Sequence, residues 1–365
     1  MKIRLHPARR HTLPMATLGL VLVLVGSGCS LHAITGDVMA EYTTDHLIPH
    51  IMSQGDPTAA CEAGVSMGGF LAAYGRVTDE PHAGLIPTIT SAAVCAEEAA
   101  WSESLRSLRA IKRGDGAEAK DARVAEQRFR TVAARRYYET YTRTQALFGE
   151  LGGACPTLEN EYSELVFLLG MMGAVQGVAH DRAAAGRVGI PLDVPRRAER
   201  AFKCLNNERW WHVPAAFRAA IWTSVPGAVP EGVDPWAVLA EAAEKGATQG
   251  VRLAHAIYIQ AAAGAGKDDL VRKAIAAQAA SMANVPAAAK WKTLDAIAFR
   301  QSRFLSDGIW TRAEGHRTPH GRFGELPGGV APTDSDDDDD DLLDGEDLGS
   351  AVGPPAPAVA QPSRL

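Results

Sequence analysis

Residues 166–178 read VFLLGMMGAVQGV, an apolar stretch that contains no charged side chain. Glu159, Glu161 and Glu164 precede it, and acidic side chains favour the positive end of a helix. We therefore predict a helix that begins at Thr157 and continues through the apolar stretch. A membrane-spanning helix needs about 20 apolar residues, so this stretch is too short to cross a bilayer. It predicts a fully buried core helix.

Further helical segments lie on both sides of this core helix, separated by glycine, proline or aspartate. Helices of about 12 to 20 residues with short connections are typical of an α-solenoid of antiparallel helical hairpins. Ala254, Tyr258 and Ala274 occupy places similar to those of tetratricopeptide repeats, but no period of about 34 residues recurs, so the predicted repeats are degenerate. The other predicted helices cover 32–53 with a break at Pro49, 56–74, 86 or 88 to 111, 117–151 as one bent helix or two, 194–205, 213–225, 235–245, 251–263, 268–282 and 287–305.

The composition also favours helix. Alanine occurs throughout the chain and aromatic residues make up only 6 % of it, a mixture typical of helical proteins. The formal net charge of −6 is dominated by ten acidic residues between Asp334 and Asp347. Because the remainder of the mature chain is close to neutral, we predict no nucleic-acid partner.

The N-terminus has the features of an export signal. Basic residues precede an apolar run over 15–25, and small residues then lead to Cys29, so residues 1–28 predict a signal peptide. Cysteine at this place resembles the lipobox of bacterial lipoproteins, although Gly26 stands where an aliphatic residue is usual. We predict lipidation of Cys29; the alternative is ordinary cleavage nearby with Cys29 as a spare thiol. Ser30 favours the outer membrane, facing the periplasm.

The four later cysteines are Cys61, Cys95, Cys155 and Cys204. An even number in an exported chain is compatible with two disulfides, and no CxxC spacing is present. The pairs Cys61 with Cys95 and Cys155 with Cys204 are favoured because each lies on neighbouring predicted helices. The other pairings, and four reduced thiols, remain open.

The sequence divides into four regions. A signal peptide occupies 1–28, the lipidated N-terminus and first helix occupy 29–55, and the helical solenoid occupies 56–312. Residues 313–365 are rich in glycine, proline and aspartate and include six consecutive aspartates at 336–341. Such a composition buries too little apolar surface to offset the entropy of ordering, so it predicts a disordered acidic tail.

One motif offers an enzymatic alternative. Residues 64–68 read GVSMG, a G-x-S-x-G pattern in which Ser66 would be the nucleophile of a secreted serine hydrolase. The nucleophile elbow needs a strand before the serine, whereas residues 56–63 predict the first turns of a helix. Too few residues lie between Cys29 and Ser66 to form the sheet that precedes such an elbow. We therefore favour small residues that permit close helix packing.

Other patterns that offer chemistry are incomplete. Residues 264–267, GAGK, lack the first glycine and the Ser or Thr of a phosphate loop, and they predict a hairpin turn. His46 with His50 and His316 with His320 have a helical metal-ligand spacing, but nothing completes either set. We predict no metal site, no cofactor and no catalytic residue. Trp210 and Trp211 cannot both face inward on one helix, which indicates a helix junction or a groove.

The order of local patterns resembles the TRAP-transporter-associated TatT-type lipoproteins, a tetratricopeptide-like family of periplasmic proteins. The resemblance covers about residues 29 to 306. It rests on Gly28-Cys29-Ser30, Asp56-Pro57, Ala134-Arg135-Arg136-Tyr137-Tyr138, Arg197-Ala198-Glu199-Arg200-Ala201-Phe202, Trp210-Trp211-His212, Ala254-His255-Ala256-Ile257-Tyr258 before Gly266, and the closing segment Trp291 to Phe304.

This resemblance implies a non-enzymatic accessory protein, held to the membrane through Cys29, that associates with the solute-binding protein of a TRAP transporter. It also implies a homo-oligomer and a small apolar or organic-acid ligand, without assigning contact residues. A purely structural role in envelope assembly is the first alternative, and the Ser66 hydrolase is the second.

Overall fold

Helices follow one another along residues 31–328, the part of the chain that the computed structural model describes. A π-helical turn at Thr43–Leu47 joins α1 to α2, and a 3₁₀ turn at Ala289–Trp291 precedes α12. No strand occurs within these residues, so the predicted all-α fold is confirmed for them. The helices are α1 (Leu31–Tyr42), α2 (Ile48–Gln54), α3 (Pro57–Tyr74), α4 (His82–Lys112), α5 (Gly116–Phe148), α6 (Glu161–Ala183), α7 (Val194–Phe202), α8 (Val213–Ser224), α9 (Pro235–Thr248), α10 (Leu253–Gly264), α11 (Asp268–Asn284) and α12 (Lys292–Glu314).

Each helix from α3 to α11 packs mainly against its neighbours in sequence, as an array of helical hairpins requires. The last helix departs from this pattern because α12 contacts α2, α3 and α4 as well as α10. Thr293 on α12 donates to the carbonyl of Ile51, and the ring of Phe304 stacks on Trp101 at 5.0 Å between centroids. The array therefore closes on itself, so its two ends stabilise each other.

The predicted core helix is α6. Within residues 31–328 it is the one helix long and apolar enough to cross a membrane by length and composition, with a mean hydropathy of 1.3, but most of that window is buried inside the protein. Its glycines bring α5 close. A Cβ atom on Gly170 would overlap the hydroxyl of Thr144, and one on Gly173 would overlap Thr140 and lie 2.9 Å from the carbonyl of Tyr137.

Gly64 has the same function between α3 and α4. A Cβ atom at this position would lie 2.6 Å from both the Ala92 nitrogen and the Thr88 oxygen of α4. The Cys61–Cys95 disulfide joins the same two helices, with 5.4 Å between the Cα atoms. The interpretation of residues 64–68 as small residues for close packing is thus confirmed at Gly64.

The second disulfide joins Cys155, in the connection after α5, to Cys204, just after α7, again with 5.4 Å between Cα atoms. Both disulfides are the pairings that the sequence favours. The signal peptide, Cys29 and the acidic run 336–341 lie outside the described residues.

The start of α4 corrects a predicted boundary. The helix begins at His82 and not at Ile86 or Thr88, and it contains Pro87. Proline has no N–H to donate to the carbonyl four residues earlier, which here belongs to Ala83. The Tyr162 hydroxyl on α6 donates to that carbonyl at 3.0 Å. A tertiary hydrogen bond therefore replaces the one that proline removes.

Residues 116–148 form one long helix, which is one of the two alternatives left open for 117–151. Two other boundaries differ from prediction. The core helix begins at Glu161 and not at Thr157, because Asn160 and Ser163 form a capping box. The predicted boundary at 312 is wrong, since α12 continues to Glu314 and the following residues also fold onto the body.

Residues 315–328 are held by specific contacts. The backbone nitrogen of Thr318 donates to Asp307 at 3.1 Å, and the Trp310 indole donates to the carbonyl of Glu325 at 3.1 Å. The ring of Phe323 packs edge-on against Phe299. The folded body therefore extends to at least residue 328.

We expect Gly173→Ala to lower the free energy of unfolding by about 2 to 3 kcal/mol, because the added methyl group must separate α5 from α6. Urea unfolding followed by circular dichroism would measure the change. Gly69→Ala is the matched control, since within residues 31–328 no atom outside its own stretch of helix lies within 4 Å of its would-be Cβ. There the helix should gain about 0.5 to 1 kcal/mol. Equal effects of both substitutions would contradict the close-packing interpretation.

Candidate functional site

A groove of about 500 Å³ lies among α9, α10 and α11. Its volume is within the usual range of ligand pockets, about 300 to 1,000 Å³. Helix α10 contributes His255 and Tyr258, while α9 and α11 contribute most of the remaining side chains. We call this feature the α9–α11 groove. Residues Ala254, Tyr258 and Ala274, singled out as tetratricopeptide-like, are all buried in this region.

The groove exists because its walls carry small side chains. Alanine is the commonest lining residue, and a larger side chain at these positions would fill the space between the helices. Of these alanines, Ala240 and Ala277 are exposed on the walls, so they define the open surface of the groove. The lining alanines are Ala240, Ala243, Ala247, Ala274 and Ala277.

The polar groups of the groove differ between its floor and its rim. Glu244 and Lys273 are exposed on opposite walls and give the rim one charge of each sign. His255 on the floor is only 4 % exposed, and its Nδ1 has no hydrogen-bond partner within residues 31–328. Burial, together with the nearby Arg252 charge, lowers the pKa of His255 to about 4. The floor is therefore uncharged at neutral pH.

Arg252 fixes one end of the groove. Its side chain is almost fully buried, and it donates to Asp295 on α12 at 2.7 Å. It also donates to Ser281 Oγ at 3.0 Å and to the carbonyl of Val285. Ser281 and Val285 line the groove, so this buried ion pair holds the C-terminal end of α11 against α10 and α12.

Ser66 does not have the setting of a catalytic nucleophile. It lies in the middle of α3 on an exposed face, and its hydroxyl donates to the carbonyls of Glu62 at 3.0 Å and Ala63 at 3.2 Å. A nucleophile elbow places the serine in a strained turn between a strand and a helix, and no strand occurs in the described part of the chain.

The histidine pairs are placed apart from any ligand set. His46 lies in the π-helical turn, and His50 on α2 contacts the Gln54 amide at 2.6 Å. His316 follows α12 and its ring packs on Trp310. Across residues 31–328, no group of three or more His, Cys, Asp or Glu side chains is arranged to hold a metal ion.

The two adjacent tryptophans form a helix junction, as the sequence indicates, but both are buried. The chain turns between α7 and α8, with Trp211 and His212 in the left-handed region at φ 50° and 59°. This turn allows both rings to point inward and to pack against Trp291. The Trp210 indole donates to Glu164 of α6 at 2.6 Å.

Neither the α9–α11 groove nor His255 is among the sites predicted from the sequence. His255 belongs only to the stretch Ala254-His255-Ala256-Ile257-Tyr258, on which the family resemblance rests in part. One signal in the sequence could have revealed this site. His255 lies among apolar residues of one predicted helix, and the predicted helices before and after it are rich in alanine. The lining residues of the groove are spread over 240–285, so helical packing is needed to recognise them as one surface.

Comparisons with protein-family models, with curated proteins and with solved structures give no match. The resemblance to TatT-type lipoproteins therefore stays a prediction.

We expect acid to destabilise the protein through His255. Below its ordinary pKa of about 6.5 the unfolded chain binds a proton that the folded chain excludes until about pH 4. The free energy of unfolding should therefore fall between these values, by at most about 3 kcal/mol from this group. Denaturant unfolding at pH 7 and pH 4.5 should show a smaller loss for His255→Asn than for the wild type. Equal losses would contradict a buried neutral His255.

Proposed function

We propose that this protein is a non-enzymatic envelope lipoprotein, a helical scaffold that binds a partner protein in the α9–α11 groove. The observation that carries the proposal is the groove itself, about 500 Å³ with alanine walls and charges only at its rim. Apolar surface of this kind recognises the apolar side chains of an amphipathic helix, while rim charges select its orientation.

The partner that the family resemblance suggests is a periplasmic solute-binding protein of a TRAP transporter. A small apolar or organic-acid ligand is the second candidate occupant, because Lys273 at the rim could pair with a carboxylate above the apolar walls. A purely structural envelope protein would not need an open groove. A homo-oligomer would place a second copy of the chain in the same position as the partner.

Attachment through a lipid on Cys29 would place the body at a membrane, in our proposal the periplasmic face of the outer membrane. The exposed face of α1, which begins two residues later, supports this attachment. Four apolar side chains at helical spacing are about half exposed or more on that face, and such a stripe can lie in a bilayer interface. They are Leu31, Ile34, Val38 and Tyr42.

The disulfides support the same compartment. Cys61–Cys95 and Cys155–Cys204 are compatible with the oxidising conditions of the periplasm, whereas reducing cytoplasm seldom permits stable pairs.

We expect Ala277→Phe to abolish partner binding, because the phenyl ring would fill the α9–α11 groove from an exposed wall position. Tagged wild-type and variant proteins would be isolated from solubilised envelopes after mild cross-linking, and bound solute-binding protein would be quantified by mass spectrometry. Recovery should fall at least tenfold for Ala277→Phe. Ala73→Phe, at an exposed alanine of α3 outside the groove, should bind like the wild type. Equal recovery with both variants would overturn the groove as the binding site.

Lipidation is tested separately. Wild-type protein in a bacterial host should incorporate labelled palmitate and sediment with membranes, whereas Cys29→Ala should remain unlabelled. An unlabelled wild type released as soluble protein would remove the lipid anchor and leave groove binding unaffected.

A further inference from the structure

A second pocket, separate from the α9–α11 groove, lies where α4, α5, α6, α10 and α12 converge. Its volume is about 140 Å³, close to the roughly 150 Å³ that accommodates one benzene molecule in another protein. Exposed Ala179 lies at its edge. The pocket is therefore open to solvent and large enough for a small solute.

Two opposite charges line this pocket on either side of one histidine. Glu97, about 3 % exposed, accepts from the Tyr137 hydroxyl at 3.0 Å and lies 3.1 Å from His180 Nε2. Arg130 Nη1 lies 3.2 Å from His180 Nδ1. Because Arg130 can only donate, Nδ1 must accept, and Nε2 then donates to Glu97. His180 therefore has a carboxylate at one nitrogen and a guanidinium at the other.

Both charged groups retain hydrogen-bonding capacity. A carboxylate has about four lone-pair sites and an arginine five N–H donors. Glu97 uses one site on each oxygen, and Arg130 uses its other contacts on Glu126. Burial opposes ionisation of Glu97, but the hydrogen bonds from His180 and Tyr137 and the nearby Arg130 charge together hold its pKa below the usual range. The carboxylate is therefore charged.

The remaining wall combines amides with aromatic rings. Gln176, Gln260 and Gln301 line the pocket, and none of their carboxamides has a hydrogen-bond partner within residues 31–328. Gln301 is only 8 % exposed as a whole residue, and its carboxamide is available to hydrogen-bond a solute in the pocket. Trp101, stacked on Phe304, forms an apolar side of the same pocket.

We propose that this pocket binds a small zwitterion, an α-amino acid with a short side chain. Its ammonium group would donate to Glu97 and its carboxylate would accept from Arg130, with the glutamine amides completing both sets of hydrogen bonds. The short side chain would lie on Trp101. Glu97 would repel a simple anion and Arg130 would repel a simple cation, so both charges select one ligand that carries both.

Isothermal titration calorimetry on the dialysed full chain without its signal peptide tests this site. Glycine, L-alanine and L-serine are the probes, with propionate and isopropylamine as single-charge controls of similar size. We expect saturable binding of at least one amino acid and at least tenfold weaker binding of both controls. Absence of heat with all three amino acids, or propionate binding equal to that of L-alanine, would overturn the proposal.

Variants place the binding in the pocket. Gln301→Met removes one carboxamide without changing charge, and it should weaken amino-acid binding at least fivefold. Gln249→Met, at an exposed position at the end of α9, should have no effect. If Gln301→Met fails to fold, thermal-shift measurements of Gln260→Met provide the same comparison. Unchanged affinity in a folded pocket variant would overturn the site. Either result leaves partner binding in the α9–α11 groove unaffected.

Discussion

The close approach of α5 and α6 is the contact on which the rest of the structure depends. Gly170 and Gly173 have no side chain to separate the two helices, and Thr140 and Thr144 occupy that space. These threonines are completely buried, and their hydroxyls donate to carbonyls of their own helix, so neither hydroxyl is left without a partner. The same register stacks Tyr137 of α5 on His180 of α6 at 5.5 Å between centroids, so backbone packing in the core positions the polar pocket.

Small residues have opposite consequences in two parts of the molecule. Between α5 and α6 the missing side chains are replaced by backbone and threonine atoms, which gives a dense interior. Around the α9–α11 groove no further helix within residues 31–328 covers the exposed alanines Ala240 and Ala277, so the missing volume remains open to solvent. The difference lies in whether atoms of a facing helix occupy the space beside the small residues. Helix α12 instead closes the array against α2, α3 and α4.

The sequence predicts those features of the fold that depend on residues close together in the chain, such as helix caps and apolar helices. Asp56 caps α3 with Pro57 in its first turn, and residues 166–178 form the core helix, both as predicted. Distant residues determine the rest. Pro87 is tolerated because the Tyr162 hydroxyl of α6 donates a hydrogen bond to the carbonyl that proline leaves free. Residues after 312 fold onto the body because Asp307 accepts a hydrogen bond from this segment and Phe299 packs against it. The polar pocket unites Glu97 with Gln301, a separation that no periodicity in the sequence reveals.

The buried charged side chains differ in how much they contribute to the stability of the fold. Arg252 satisfies Asp295 and carbonyls at the end of α11, so it has a structural function in holding helix ends together. Within residues 31–328, Glu97 accepts from no backbone N–H and caps no helix; its partners are the side chains of Tyr137 and His180. Apolar residues of similar volume often replace such buried polar groups at little or no cost in stability. Stability alone therefore does not require Glu97, His180 and Arg130 to face an open pocket beside amides without partners, whereas recognition of a charged solute does.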